Sequence, residues 1–159
     1  MAVVTPAEPH HIDAFAVLLE EMDRFYGATA IEPRRHRLDQ IREALFSHTP
    51  AACALLAWQG ARLAGFASYS YLWPAVGLTR SLYVKELYVS KSHRRSGIGT
   101  LLMNELVTIA VEKACSRVEW TTDADNTGAQ RFYEKIARTY PSKLFYRLEA
   151  GDLRHSRRR

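Results

Sequence analysis

The 159-residue sequence predicts one α/β domain, a single mixed and mostly antiparallel sheet with helices on its faces. Apolar residues recur with a helical period in four segments, and runs rich in branched and aromatic residues stand between them. The predicted order is strand, two helices, three strands, helix, strand, helix, strand. We assign residues 1–150 to this domain and residues 151–159 to a basic, disordered tail.

The first third of the chain predicts a short strand followed by two helices. Residues 3–4 form the opening strand. In the stretch TPAE, Thr5 is an expected N-cap and Glu8 completes a capping box. Apolar residues then recur at helical spacing as far as Gly27, a suitable helix stop, and a second helix begins near Pro33.

The remaining elements follow from alternation and turn residues. The segments ACALLAW and RLAGFASYSYL predict two strands joined in a hairpin at Gln59–Gly60, and SLYVKELYV predicts a third. A helix is expected from Ile98 to Ala114, with leucines on its inner face. The last three predicted elements are a strand in RVEWTT, a helix in TGAQRFYEKIA and a final strand in KLFYRLE.

Charge and composition favour a globular protein without a membrane segment. The formal net charge is +5, and four arginines in residues 154–159 supply most of it. The longest apolar run is far too short to span a bilayer. Cys53 and Cys115 do not resemble a disulfide framework, so we expect two buried free thiols and a cytoplasmic location. The basic tail is expected to be solvated, and nucleic acid is not an expected partner.

The junction HRRSGIGTLLM predicts an anion site. A strand, a glycine-rich turn and a helix leave the first helical N–H groups without internal partners, and the helix dipole adds positive charge there. The alternative is a turn whose glycines only reverse the chain and whose arginines are solvated. The junction lacks the lysine and Ser or Thr of a P-loop, and Leu102 occupies the small-residue position of a dinucleotide fingerprint.

The junction resembles the signature of the GNAT-superfamily N-acetyltransferases. RRSGIG matches their Arg/Gln-x-x-Gly-x-Gly/Ala pattern, and DNTGAQRFYEK is similar to their later Asn-x-x-Ala-x-x-Phe-Tyr-Glu-Lys segment. Within the superfamily, the stretch GFASYSYLWPAVGLTRSLYVKELYV most resembles the diamine (spermidine/spermine-type) acetyltransferases. The chain departs from the pattern after FYEK, where IART stands in place of a short residue and Gly-Phe, so the strand after that helix is expected to be stunted.

The resemblance implies a GNAT fold that binds acetyl-CoA as co-substrate. In that fold the sheet splays between its fourth and fifth strands to admit the pantetheine arm. Backbone N–H groups of the turn cradle the pyrophosphate, the end of the fourth strand pairs with the pantetheine amides, and one asparagine contacts the arm. The residues implied for the coenzyme are Leu87, Tyr88, Val89, Arg94, Arg95, Ser96, Gly97, Ile98, Gly99, Thr100 and Asn126.

Amide formation from a thioester needs a deprotonated amine and a proton for the departing thiolate. The resemblance implies that Tyr133 is the general acid; its alternative is packing beside Phe132. A phenol with a pKa near 10 is protonated at neutral pH. Glu86 matches an acidic position of the diamine group and could take the proton of the amine, anchor its ammonium or simply be solvated. Lys85 stands where that group often has a second acid, which argues against a polycationic acceptor.

The predicted function is acetyl transfer from acetyl-CoA to a primary amine of a small molecule. Glu21, Tyr26 and Lys85 are the residues expected near the acceptor. A protein N-terminus or lysine is the second interpretation, and a non-catalytic basic module for nucleic acid or coenzyme is the third. No metal site is expected, because His10, His11 and His36 lack a converging spacing. A homodimer is left open.

Overall fold

A computed structural model describes residues 1–156, and the chain forms two compact units, Met1–Thr121 and Thr122–Arg159, which we describe separately. The first unit contains one five-stranded sheet in the order of the sequence. Its elements are β1 (Ala2–Pro6), α1 (Ile12–Phe25), α2 (Arg34–Phe46), β2 (Cys53–Gln59), β3 (Arg62–Leu72), β4 (Arg80–Val89), α3 (Ile98–Glu112) and β5 (Cys115–Glu119). The second unit contains α4 (Thr127–Tyr133) and α5 (Ala150–Ser156).

The pairing of the strands confirms the predicted mixed, mostly antiparallel sheet, whereas the splay between its fourth and fifth strands stays a prediction. Strands β1 to β4 are antiparallel neighbours, whereas β5 is parallel to β4. The β4–β5 register runs from Arg80 to Tyr83 on β4. Residues 84–89 of β4 therefore extend beyond its last pair with β5, and they include residues 87–89, which are expected to bind the coenzyme arm.

Helices cover both faces of this sheet. Phe15 on α1 and Ile41 on α2 are buried with Leu56, Phe66 and Tyr88 on one face. The rings of Phe15 and Phe66 meet edge to face, with their centroids 4.9 Å apart. Because successive strand residues point to opposite faces, Gly65 faces the other side from Phe66. The side chains of α3 lie there.

Gly65 permits the close approach of α3 to the sheet. A Cβ atom at this position would lie 2.9 Å from the carbonyl oxygen of Tyr88 and 3.1 Å from Cγ2 of Ile98. Ile98 is the first residue of α3 and is buried. The absence of a side chain at residue 65 thus sets how closely the beginning of α3 packs against β3 and β4.

The predicted start of the first helix is wrong. Instead of capping a helix, Thr5 pairs with Leu56 in the β1–β2 ladder. A capping box does form, but between Glu8 and His11, and α1 begins at Ile12. Pairing with β2 satisfies the backbone of residues 2–6, so it overrides a local helix signal whose side chains could cap only a few N–H groups.

The predicted last strand is also wrong. Residues 143–149 adopt no regular secondary structure, and Leu144 and Tyr146 are exposed. A strand needs a neighbour to complete its hydrogen bonds, and the described part of the sheet ends at β5. The predicted tail overlaps α5 at residues 151–156, and residues 157–159 lie outside the described residues.

The structure can be compared with two further expectations, on membrane-spanning helices and on the state of the cysteines. Within residues 1–156, every helix is too short or too polar to cross a bilayer. Both cysteines are free thiols, as predicted. The predicted burial is wrong for both: Cys53 is exposed because it opens β2 at the end of the sheet, and Cys115, the first residue of β5, is only half-buried.

Candidate active site

The junction after β4 folds as the sequence predicts, and we call residues 94–100 the glycine turn. Arg95 and Gly97 have left-handed backbone conformations, with φ angles of 62° and 83°. The amide of Leu101 donates to the Gly97 carbonyl at 3.0 Å, as the first turn of α3 forms. The amides of residues 98–100 precede that bond, so they lack intrahelical acceptors. Left-handed residues before a helix start aim such amides at one place, which suits an anion.

Residues 87–89 form the end of β4. The edge of β4 that faces β5 has no partner among the described strands at these residues. On the opposite edge, Leu87 pairs with Ala67 and Val89 pairs with Gly65 of β3. Tyr88 is buried against α1, and its hydroxyl reaches Glu21. Burial and the Glu21 carboxylate together raise the pKa of Tyr88 to about 12. Tyr88 is therefore protonated at neutral pH and acts as a hydrogen-bond donor.

A bulge in β4 places opposite charges side by side. Ser68 pairs with Glu86 and Tyr69 pairs with Val84, so Lys85 is an additional residue on β4. Lys85 is exposed, and Glu86 is half-buried. The bulge interrupts the regular alternation of the strand just before the segment expected to bind the coenzyme arm.

Glu21 lies on α1 and reaches the residues that lead into the glycine turn. Its carboxylate accepts hydrogen bonds from Tyr88, Ser90 and the amide of Lys91. Burial alone would raise the pKa of Glu21, but these donors and nearby Arg94 outweigh it, and the pKa lies below its ordinary value. An acceptor ammonium would have to compete with these donors for the carboxylate.

Tyr26, also predicted near the acceptor, follows the last residue of α1 and is half exposed. Its ring meets Phe25 edge to face, with the centroids 5.3 Å apart.

A charged cleft lies between α1 and α2, the helices expected to cover the acceptor. Its volume is about 270 Å³, and its lining carries arginines and glutamates. Arg37 is largely buried, donates to Asp23 at 2.9 Å and has a buried Nε atom without a protein acceptor. The lining residues are Ala16, Glu20, Arg24, Ile31, Glu32, Arg34 and Arg37.

The second unit holds the other two predicted site residues. Asn126 caps α4, since its side-chain oxygen accepts the amide of Ala129 at 3.2 Å. Gln130 donates to the carbonyls of residues 123 and 124, which fixes the loop before the helix. Tyr133 ends α4 and is half-buried, with its ring 5.3 Å from that of Phe132. The helix is shorter than predicted, because it ends at Tyr133 rather than near residue 137.

Three potential metal ligands do meet near the start of α1. Ligand atoms of Glu8, His10 and His11 lie within 4.8 Å of one another. His10 Nδ1 is 3.3 Å from the Glu8 carboxylate, and His11 Nδ1 accepts the Glu8 amide at 3.0 Å. That hydrogen bond occupies the lone pair of His11, so these contacts serve the helix start and we assign no metal there.

The sequence profile of the Acetyltransferase (GNAT) family matches residues 15–137. That span includes β4, the glycine turn and α4. The chain belongs to the GNAT acetyltransferase family. Members of this family use acetyl-CoA as co-substrate, which is the coenzyme that the resemblance of the glycine turn to their signature implies.

The relatives whose names state a substrate share 30% or less of their aligned residues with this chain. The chain is 30% identical to an L-ornithine N5-acetyltransferase of Arabidopsis thaliana over 74 residues, 46% of this chain and 32% of that protein. It therefore matches about a third of the length of this relative. It is 26% identical to a thialysine N-epsilon-acetyltransferase of Mus musculus over 116 residues, which cover 68% of each.

A solved structure is similar over nearly the whole chain. An integron cassette protein from the mobile metagenome of V. cholerae superposes with a TM-score of 0.92 at 29% identity, and the match covers 99% of this chain and 98% of that protein.

Several residues that build the site were not predicted from the sequence. Ser90 and Phe25 contact the glycine turn or its entry, and neither belongs to a recognisable motif. Gly65 had a weak signal, because a glycine inside a strand often marks close backbone approach. That signal does not say which element approaches.

Proposed function

We propose that this protein transfers the acetyl group of acetyl-CoA to a primary amine of a small molecule. The glycine turn carries the proposal, because left-handed Arg95 and Gly97 precede the first amides of α3, which have no acceptors within the helix. Charged phosphate oxygens bind well to backbone N–H groups at a helix start. Arg94–Thr100 would bind the pyrophosphate, and Leu87, Tyr88 and Val89 would pair with the pantetheine arm.

A valine at Gly97 tests this part of the proposal. The branched side chain would cover the amides and cannot adopt the left-handed conformation without strain, so we expect acetyl-CoA binding to be lost. Gly60→Val is the matched control, because Gly60 also has a positive φ of 61° and open space around it, but lies in the β2–β3 hairpin. Gly99→Val, at the start of α3, should also abolish acetyl-CoA binding. Unchanged calorimetric affinity in both turn variants would refute the assignment.

The proposed reaction is a direct transfer. The amine nitrogen attacks the thioester carbonyl, the carbon–sulfur bond breaks, and Tyr133 protonates the leaving thiolate. Glu86 takes the proton of the amine, directly or through water, or anchors the ammonium before that step. Asn126 would donate its side-chain N–H groups to a carbonyl of the arm, since its oxygen already caps α4.

We infer that the acceptor is an amino acid or a monoamine rather than spermidine or spermine. Exposed Lys85 beside Glu86 offers both signs of charge, and so does the cleft between α1 and α2. A polyamine would be repelled by Lys85, whereas a molecule with both amine and carboxylate can satisfy each charge. The names of the relatives support this, because L-ornithine is an amino acid.

A panel of amines assayed for CoA release tests the acceptor. It should include L-ornithine, thialysine, simple monoamines, spermidine and spermine. Turnover of spermine without turnover of any amino acid or monoamine would refute the proposed acceptor class. It would instead favour the substrate class of the diamine acetyltransferases. A peptide with a free N-terminus or lysine tests the protein-acceptor alternative in the same assay.

Thermal shift separates the enzyme from a non-catalytic module. We expect acetyl-CoA and CoA to raise the melting temperature and DNA to leave it unchanged. A shift with DNA alone would refute the enzyme. A cytoplasmic location and a homodimer stay predictions, which fractionation and sedimentation velocity would test.

A further inference from the structure

Three donors in residues 88–91, which lead into the glycine turn, bind one carboxylate. Glu21 Oε1 accepts the Tyr88 hydroxyl at 2.9 Å and the Lys91 amide at 2.8 Å. Oε2 accepts the Ser90 hydroxyl at 3.0 Å. Hydrogen bonds to an ionised carboxylate are stronger than those between neutral groups. One side chain of α1 thereby fixes the end of β4 and the first residues after it.

The hydrogen bonds continue from Glu21 as far as the turn. The single hydroxyl hydrogen of Ser90 is donated to Glu21, so Ser92 must be the donor in its 3.3 Å contact with Ser90. Ser92 then accepts from Nδ1 of His93 at 2.9 Å. The carbonyl of His93 accepts the hydroxyl of Ser96, which is a residue of the glycine turn.

Arg94 also holds this segment against α1. Its guanidinium carbon lies 4.4 Å from the centre of the Phe25 ring and 5.7 Å from that of Tyr88. Its Nε donates to the Val89 carbonyl at 3.2 Å. The end of α1 therefore supplies both an aromatic face for this arginine and the carboxylate four residues earlier, at Glu21.

We propose that Glu21 is a positioning residue that preorganises the glycine turn for acetyl-CoA. The inference rests on the proposed function. A turn that is disordered before binding must lose its conformational entropy when the coenzyme binds, and that loss weakens affinity. Glu21 orders residues 88–91 beforehand, so binding avoids much of that cost. The carboxylate does not itself touch the reacting atoms.

Replacement of the carboxylate should weaken coenzyme binding without changing the chemical step. We expect Glu21→Ala to raise the Kd of acetyl-CoA by about tenfold, with kcat at saturating substrates within about twofold of the wild type. Glu21→Gln keeps an oxygen for Tyr88 and Lys91, so it should restore the Kd to within about threefold. A residue with only a general structural role would not produce this separation of Kd from kcat.

The matched control is Asp13→Ala on the same helix. Asp13 also has a hydrogen-bonded arginine partner, Arg34 at 2.7 Å, but that partner lies on α2 and not at the glycine turn. We expect an unchanged Kd for this variant. Should Glu21→Ala fail to fold, Ser90→Ala removes one of the three donors and should raise the Kd severalfold.

The outcomes separate this inference from the proposed function. A folded Glu21→Ala or Ser90→Ala variant with wild-type Kd would overturn the positioning role, while Gly97→Val could still abolish binding. If Gly97→Val binds acetyl-CoA normally, the turn is not the site and both proposals fail. Equal loss of affinity in Asp13→Ala and Glu21→Ala would show a general effect of α1 and would also overturn the inference.

Discussion

Gly65→Ala should destabilise the fold, although alanine is ordinarily better than glycine inside a strand. The added Cβ would lie 2.9 Å from the Tyr88 carbonyl oxygen and 3.1 Å from the Ile98 side chain. The carbonyl belongs to the β3–β4 ladder and cannot move freely, so Ile98 and the start of α3 must shift. Overpacking of this kind costs about 1–3 kcal/mol. For a chain of this length that corresponds to a fall in Tm of roughly 3–10 °C.

Differential scanning calorimetry measures this effect. Gly128→Ala in α4 is the control, because it adds the same methyl group where nothing lies within 4 Å, and helical alanine is favoured over glycine. Its Tm should be equal to or above that of the wild type. If Gly65→Ala melts at or above the wild-type temperature, the close approach of α3 does not depend on this glycine.

Three further changes test individual side chains. Tyr133→Phe should lower kcat by about a hundredfold with little change in the Kd of acetyl-CoA, and an unaffected kcat would rule out the general acid. Arg94→Lys loses the flat contact with Phe25, so urea unfolding should show a loss of about 1 kcal/mol, and wild-type stability would contradict that contact. The pKa of Glu21 lies below 4.5, so its carboxylate stabilises the fold above the unfolded pKa, and this contribution is lost as pH falls through the folded pKa. The difference in unfolding free energy between wild type and Glu21→Gln should be constant near neutral pH and shrink as acid protonates the Glu21 carboxylate. A difference that does not shrink at any acidic pH at which the wild type still folds would refute this.

The sequence predicted well those elements whose signals are local. The strands β2, β3 and β4 and the helix α3 have strong periodicity and clear turn residues at their ends, so their positions agree closely with the structure. The glycine turn was predictable for the same reason, since Gly97 and the helix that follows are contiguous. Pairing decided the rest. Thr5 and residues 143–149 carried helix or strand signals, but Thr5 pairs with β2, whereas residues 143–149 are irregular and pair with none of the five described strands.

The hydrogen-bond partners of Glu21 could not be predicted from the sequence. Its position on an amphipathic helix suggested a solvated acid that could bind an ammonium. The residues that engage its carboxylate lie nearly seventy positions later in the chain, and no short-range pattern joins Ser90 or Lys91 to α1. A contact of this kind follows from the packing of α1 on β4, which the sequence specifies only through the whole core.

If Arg95 binds the coenzyme as proposed, its backbone conformation sets ligand recognition against folding stability. A non-glycine residue with a φ of 62° pays a conformational penalty that glycine at the same position would not. Selection for robustness alone would therefore replace this arginine, as would a design procedure that optimises local backbone energy. On the proposed function, a cation at this unfavourable dihedral angle lowers folding stability but places positive charge beside the amides of α3, where the pyrophosphate would bind. Stabilised versions of this protein should accordingly be chosen with residue 95 held fixed, or they will trade affinity for heat resistance.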